Sequence, residues 1–217
     1  MHPKFLSIDD FTYSLPEEKI AKYPLAERDS SKLLVYRNKG IEENTYKHIE
    51  QYLPADSLLI LNNTRVIEAR LLFQKSTGAL IEIFCLEPGP QYDDITTAMA
   101  QANSVEWLCL IGGASKWKHG QILQKRIKQA DIEIIVEAKF LRKVDDSFAI
   151  KISWTPDSFS FAEILHFAGA IPLPPYLKRD ANVTDEERYQ TVYADSQGSV
   201  AAPTAGLHFT KTILEKL

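Results

Sequence analysis

Side chains able to act on a ligand are concentrated between Arg188 and Thr210 of this 217-residue sequence. Ser199, Pro203, Thr204, Gly206 and His208 follow in close succession there, after Arg188, Tyr189 and Tyr193. Small residues let a ligand approach the backbone, and histidine titrates near neutrality, so proton transfer beside a bound molecule is the chemistry this composition suits. Ser199 to Ala202 reads as a short strand broken by Pro203 and Gly206, with Thr210 capping a helix that carries Ile213, Leu214 and Leu217. A strand, loop and helix start in that order points backbone N–H groups outward, as at the ligand-binding strand ends of α/β folds. A hydrogen-bonded structural His208 above a tight turn satisfies the same residues, and both readings stand.

A second polar group, Asn62-Asn63-Thr64-Arg65, follows the apolar run Ser57 to Leu61. That run has strand length and is expected to be a buried strand that delivers the four side chains at its carboxyl end. The two amides suit a nucleobase edge or ribose, and Arg65 is a fork for carboxylate or phosphate. A third group is cationic: Lys116, Trp117 and Lys118, then Lys125, Arg126 and Lys128, with no acid between Lys116 and Lys128. It fits a phosphate backbone, with Trp117 stacking on a base, and equally fits a solvated edge strand whose lysines oppose aggregation.

The elements that must position these groups alternate in type. Residues 1–65 read as β and α in turn, with Leu33 to Tyr36 a buried strand, Asn38-Lys39-Gly40 a turn, and Tyr46, Ile49, Tyr52 and Leu53 at helical spacing. Residues 66–155 read as strands (70–73, 79–86, 105–111, 132–138 and 148–152) separated by turn residues, which predicts an inserted all-β barrel. Residues 87–101 read as an irregular loop. Residues 156–217 return to helix, first over Phe161, Ile164, Leu165 and Ala168 up to Gly169. Pro172 to Tyr176 is then extended, and a short helix capped by Thr184 carries Arg188 and Tyr189. The fold class expected is α/β with an inserted all-β barrel domain.

A net charge of -4 argues against a protein coated in positive potential, so a nucleic-acid contact must be local. Cys85 and Cys109 stand apart with no zinc-type spacing, which predicts reduced thiols and no metal site. No apolar run approaches membrane-spanning length, and no secretory leader is visible at the N-terminus, so a cytoplasmic protein without a membrane partner is expected.

The run Gly198-Ser199-Val200-Ala201-Ala202-Pro203-Thr204-Ala205-Gly206-Leu207-His208-Phe209-Thr210 resembles the signature of the S-adenosylmethionine:tRNA ribosyltransferase-isomerase family of queuosine biosynthesis. Four other segments agree in the same order: Leu15 to Leu25, Asn62 to Ile67, Ile171 to Tyr176 and Glu187 to Tyr193. The resemblance implies transfer and isomerisation of the ribosyl moiety of S-adenosylmethionine onto 7-aminomethyl-7-deazaguanine at the tRNA wobble position, giving epoxyqueuosine, adenine and methionine. S-adenosylmethionine is then a consumed substrate, no cofactor is implied, and tRNA is the partner. On this resemblance His208 is the candidate for acid–base work. Asn62, Asn63, Thr64, Arg65, Arg188, Tyr189, Tyr193, Ser199, Pro203, Thr204 and Gly206 would bind substrate, and the six residues of the cationic group would bind tRNA. The larger domain would be a distorted, barrel-like α/β unit that is incomplete here, because the family continues beyond Leu217. The departures are Glu68, where the family has proline, and Gly112 to Ser115, where it has a lysine-rich turn. A non-catalytic tRNA-binding module and an inactive fragment are the alternatives.

Overall fold

A computed structural model describes residues 3–118 and 120–217. In chain order the elements are β1 (Lys32–Arg37), β2 (Gly40–Thr45), β3 (Thr64–Val66), β4 (Arg70–Gln74), β5 (Leu80–Pro88), α1 (Ile95–Met99), β6 (Ser104–Gly112), β7 (Ile122–Gln129), β8 (Ile132–Val144) and β9 (Ser147–Thr155). They continue with α2 (Phe161–Ala168), β10 (Gly169–Ala170), α3 (Val183–Arg188), β11 (Ser196–Ser199) and α4 (Lys211–Lys216).

Seven strands form one antiparallel sheet in the order β10-β4-β5-β6-β9-β8-β7. The sheet curls until β7 comes near β4, so its inner face encloses a core. Alternation fixes which residues point in: Leu71 and Phe73 on β4, Ile81, Ile83 and Cys85 on β5, and Val105, Trp107 and Cys109 on β6 are all buried. The open side is plugged by α2, whose Phe161 ring lies 4.9 Å from Trp107 and 5.8 Å from Trp154. Helix α2 starts at Ser160, which exchanges hydrogen bonds with Glu163 in a capping box, and it buries Phe161, Ile164, Leu165 and Ala168. Cys85 and Cys109, distant in sequence, are directly opposite across the β5–β6 ladder, and burial pushes the Cys109 thiol up.

The α/β alternation expected before residue 65 is not what forms. Strands β1 and β2 make a hairpin closed by Asn38 and Lys39 in the left-handed region, φ 52° and 64°, and the helical spacing after it gives a 3-10 turn over Tyr46–Tyr52. The expected buried strand at Leu33 to Tyr36 is one arm of that hairpin, with Leu34 and Tyr36 exposed. The apolar run Ser57 to Leu61 is neither strand nor buried: Leu58 and Ile60 are 86% and 85% exposed, and the strand begins only at Thr64. Residues 87–101 hold α1, capped by Asp94. Helix α3 is capped by Asn182 instead of Thr184, and β11 ends at Ser199, where the expected strand was to start. No helix among the described residues is long and apolar enough to cross a membrane.

Candidate functional site

Two of the polar groups read from the sequence meet because β3 and β11 pair in parallel, Thr64 opposite Ser196 and Val66 opposite Ser199. The junction is extended by Asp195 N–H donating to Asn63 O at 2.8 Å and Ile67 N–H donating to Ser199 O at 3.0 Å. On the other side of β3, the Gln190 side chain accepts from Val66 N–H at 2.9 Å and donates through Nε2 to Val66 O at 2.7 Å. Asn62 Oδ1 accepts from Thr64 N–H at 2.9 Å and from its hydroxyl at 2.6 Å, which closes a local turn and leaves the Asn62 amide N–H₂ as the group free to donate onward. Arg65 is exposed.

The residues after β11 turn sharply, with the Ser199 hydroxyl donating to Ala201 O at 2.6 Å, and then form a 3-10 turn over Thr204–His208 that starts at Pro203. Gly206 is buried beneath the Tyr193 hydroxyl, and a Cβ there would collide with it, so any other residue would have to displace the Tyr193 ring. His208 is half-buried, its ring centroid 5.1 Å from that of Tyr46 and its Nδ1 3.4 Å from Arg28 O. A carbonyl only accepts, so this contact places the proton on Nδ1 and leaves Nε2 as the basic nitrogen. Helix α4 starts at Thr210, whose hydroxyl accepts from Ile213 N–H at 3.3 Å as its sequence position predicts. Phe209 is buried against Tyr46 and Tyr193.

Arginines spend their donors on backbone in this region. Arg188 donates to Ala26 O at 2.9 Å and Leu25 O at 2.6 Å, while Arg28 donates to Gln190 O at 2.6 Å and Glu187 O at 2.7 Å. Burial, and then the neighbouring Arg188 charge, push the Arg28 guanidinium below its ordinary value. Tyr189 is half-buried, and burial raises its phenol. Arg188 is therefore a clamp on the N-terminal segment in this geometry, with its Nη groups committed.

Two cavities flank the β3–β11 junction. One, about 570 Å³, is lined by Arg65 and Glu68 from the β3 end, Gly198 from β11, Gln190, and Glu163 and His166 from α2. Glu68 and His166 approach to 3.3 Å across it, which gives the glutamate that departs from the family proline a local partner. The other, about 500 Å³, lies over the outer face of β4, β5 and β6 and is walled by residues 172–174 and 200–202 with Thr204. A further hollow of about 360 Å³ shares Arg70, Glu82, Leu173 and Pro174 with it and adds Lys178, Arg179 and Asp180. Of the predicted substrate residues, Arg65 lines the first cavity and Thr204 the second; His208 lines neither. Arg70 and Glu82 carried no signal in the sequence, because a strand register joins them and no motif does.

The cationic group does not form one face. Trp117 is buried, with Nε1–H donating to Gln121 O at 2.8 Å and its ring 6.3 Å from Phe140, so the ring is part of the core instead of a stacking platform. Lys125 points to the inner side of β7 with Leu123 and Ile127, donates to Ala168 O at 2.6 Å, and has its ammonium pushed down by burial. Arg126 and Lys128 point outward, where β8 sets Glu133 opposite Lys128 and 3.4 Å from Arg126. Lys116 and Lys118 are exposed on the preceding turn, and His119 between them and β7 lies outside the described residues. The acid-free stretch of sequence thus receives acids from the neighbouring strand.

The sequence model of a family described as Queuosine biosynthesis protein matches residues 8–217. The S-adenosylmethionine:tRNA ribosyltransferase-isomerase of Sulfurihydrogenibium sp. (strain YO3AOP1) is 40% identical over 215 residues, covering 98% of this chain and 57% of its own length. The proteins of the same name from Trichlorobacter lovleyi and Aromatoleum aromaticum are 36% and 39% identical, covering 97% and 98% of this chain and 56% and 55% of their own lengths. The chain therefore spans little more than half the length of these curated relatives. With the family match running from residue 8 to the last residue, the chain belongs to the queuosine biosynthesis protein family.

Proposed function

We propose that the chain contributes the β3–β11 junction of an S-adenosylmethionine:tRNA ribosyltransferase-isomerase, an enzyme that moves the ribosyl moiety of S-adenosylmethionine onto 7-aminomethyl-7-deazaguanine in tRNA and isomerises it to epoxyqueuosine. The observation that carries the reading is convergence: Arg65 to Ile67, Ile171 and Gly198 line one cavity, and Pro172 to Pro174, Val200 to Ala202 and Thr204 another, so that segments separate in sequence meet in a chain of this family. In this reading Asn62 and Arg65 hold the polar parts of a nucleoside substrate. His208 serves proton transfer through Nε2 once a substrate or further chain reaches it, and the exposed Lys116, Lys118 and Lys128 contribute to tRNA contact. Positioning of this kind supplies much of an enzyme's rate. The barrel-like α/β larger domain belongs to the same proposal.

The experiment is adenine release from S-adenosylmethionine with precursor tRNA, measured for the 217-residue chain and for a chain extended to the relatives' length. Release by the extended chain that falls about 100-fold in Arg65→Lys at unchanged melting temperature supports the reading. Tight tRNA binding with no adenine release by either chain overturns it in favour of a binding module.

A further inference from the structure

Several charged side chains on the outer face of β6 to β9 have a partner on the neighbouring strand. Arg126 approaches Glu133 to 3.4 Å, the Gln124 amide donates to Glu137 at 3.1 Å, and the Glu106 carboxylate lies 2.7 Å from Arg142. Lys139 on β8 and Lys151 on β9 differ. They stand directly opposite each other in the ladder, both exposed, and neither joins an ion pair among the described residues. Glu106 is the residue across from Lys151 on β6, but Arg142 takes its carboxylate. Like charges at directly opposed positions destabilise a sheet. Lysines on an edge strand have a use in opposing aggregation, and this pair is not on an edge, because β6 and β7 flank it on both sides.

We propose that Lys139 and Lys151 form a seat for the phosphate backbone of a tRNA stem. Residues directly opposite in an antiparallel ladder set their Cβ atoms about 5 Å apart, so two flexible ammonium stems can close on one phosphate or bridge neighbouring ones. A phosphate between them replaces a repulsion by two attractions and releases condensed counterions. Trp117 packs on Phe140, the residue after Lys139, which brings the turn bearing the exposed Lys116 and Lys118 to the same end of the sheet. In the ladder Lys139 and Lys151 are flanked by Ile122 and Glu106, and the next outward pair is Glu137 with Ser153. None of these is aromatic, so no base can stack there, and the seat holds backbone without reading sequence. The inference rests on the proposed function for the identity of the nucleic acid. It places the contact on strands that no motif marks, and its test does not require turnover.

The test is binding of an unmodified tRNA transcript to the 217-residue chain, followed by fluorescence anisotropy across a salt series, with melting temperature recorded for every variant. The double variant Lys139→Gln with Lys151→Gln should weaken binding about tenfold at low salt. It should also lower the magnitude of the log–log salt slope by about 2, because each lost phosphate contact removes about 1. A second tRNA with a different anticodon should lose the same factor. Lys32→Gln with Lys47→Gln removes the same charge from exposed positions on β1 and on the 3-10 turn after β2, and should leave the slope unchanged. An unchanged slope in the folded Lys139 and Lys151 variant, an equal loss in the Lys32 and Lys47 variant, a loss confined to one tRNA, or no binding of either tRNA by the wild type overturns the inference. Binding of anionic phospholipid vesicles in place of tRNA, lost in the same variant, overturns it too by giving the seat to a membrane surface. The predicted slope change in a chain that releases no adenine even at the relatives' length would sink the enzymatic reading alone. Normal adenine release with an unchanged slope in the variant would sink this one alone.

Discussion

Among described residues up to Arg65 no side chain is buried, whereas Val66 to Ala168 contains nearly the whole core. The two regions do not differ in apolar content so much as in partners. Leu58, Leu59 and Ile60 are as hydrophobic as Ile81 and Ile83, yet the first three face solvent and the last two are fully buried between paired strands. Burial follows from pairing and closure, with side-chain type only permitting it. The first region is attached instead by polar stitches: Arg28 and Arg188 on carbonyls, Arg179 Nε on Lys22 O at 2.7 Å, and the cluster of Tyr46 with His208 and Phe209.

The sharpest way to break this contrast is a pair of truncations. Trp107→Ala should cost about 3–5 kcal/mol in urea unfolding, because a fully buried indole leaves a cavity against Phe161, while Ile60→Ala should change stability by less than about 0.5 kcal/mol. An Ile60→Ala loss comparable to that of Trp107→Ala would mean that the first region has a core of its own in solution. Next in size is Asp185→Asn, about 3 kcal/mol, since Arg179 binds Asp185 at 2.6 and 2.8 Å and the carboxylate is almost fully enclosed. The Arg179 hydrogen bonds hold the Asp185 carboxyl below its ordinary value. This stabilisation is therefore fully present above the unfolded carboxylate pKa and is lost as pH falls through the folded one. Melting followed from pH 6 to pH 2 should show a steeper acid limb in the wild type than in Asp185→Asn; parallel limbs would dismiss the pair as a stabiliser.

Smaller, and confined to one region, is Arg28→Lys, which replaces a fork by a point charge. It should speed hydrogen exchange of the β1–β2 amides about tenfold with β5 and β6 unchanged, and equal acceleration in both would show one cooperative unit. Smallest is Lys39→Gly, which relieves a left-handed backbone and should raise hairpin protection by about 0.5–1 kcal/mol in the same exchange measurement. A fall in protection would show that the Lys39 side chain contributes more than its backbone costs.

What could be read ahead of the structure was whatever periodicity governs locally. Helix α2 matches its reading because Phe161, Ile164, Leu165 and Ala168 share one face and Ser160 and Gly169 bound it. Strands β4, β5, β6, β8 and β9 were legible for the same reason, although β8 runs on to Val144, whereas β7 was legible only as a cationic edge strand and β10 was not. Ser57 to Leu61 did not, because a continuous apolar run says nothing about whether a neighbour exists to hydrogen-bond with it. Helix α1 was hidden by its shortness and by the Pro-Gly-Pro before it. In the cationic group, period-two alternation already separates Lys125 from Arg126 and Lys128; the acids of β8 could be assigned only once the register was known. Arg65 and Thr204 do line cavities, while Arg70 and Glu82 became visible only through the β4–β5 ladder.

The Gln190 amide on Val66 has a consequence for assembly. Its C=O and N–H₂ occupy the same two positions a peptide group of an adjacent strand would take, so β3 meets a counterfeit neighbour on the side that β11 leaves open. An exposed strand edge invites pairing with another molecule, and a side chain that imitates the backbone closes that invitation without adding a strand. Glutamate at this position would accept but could not donate, so the imitation depends on one nitrogen.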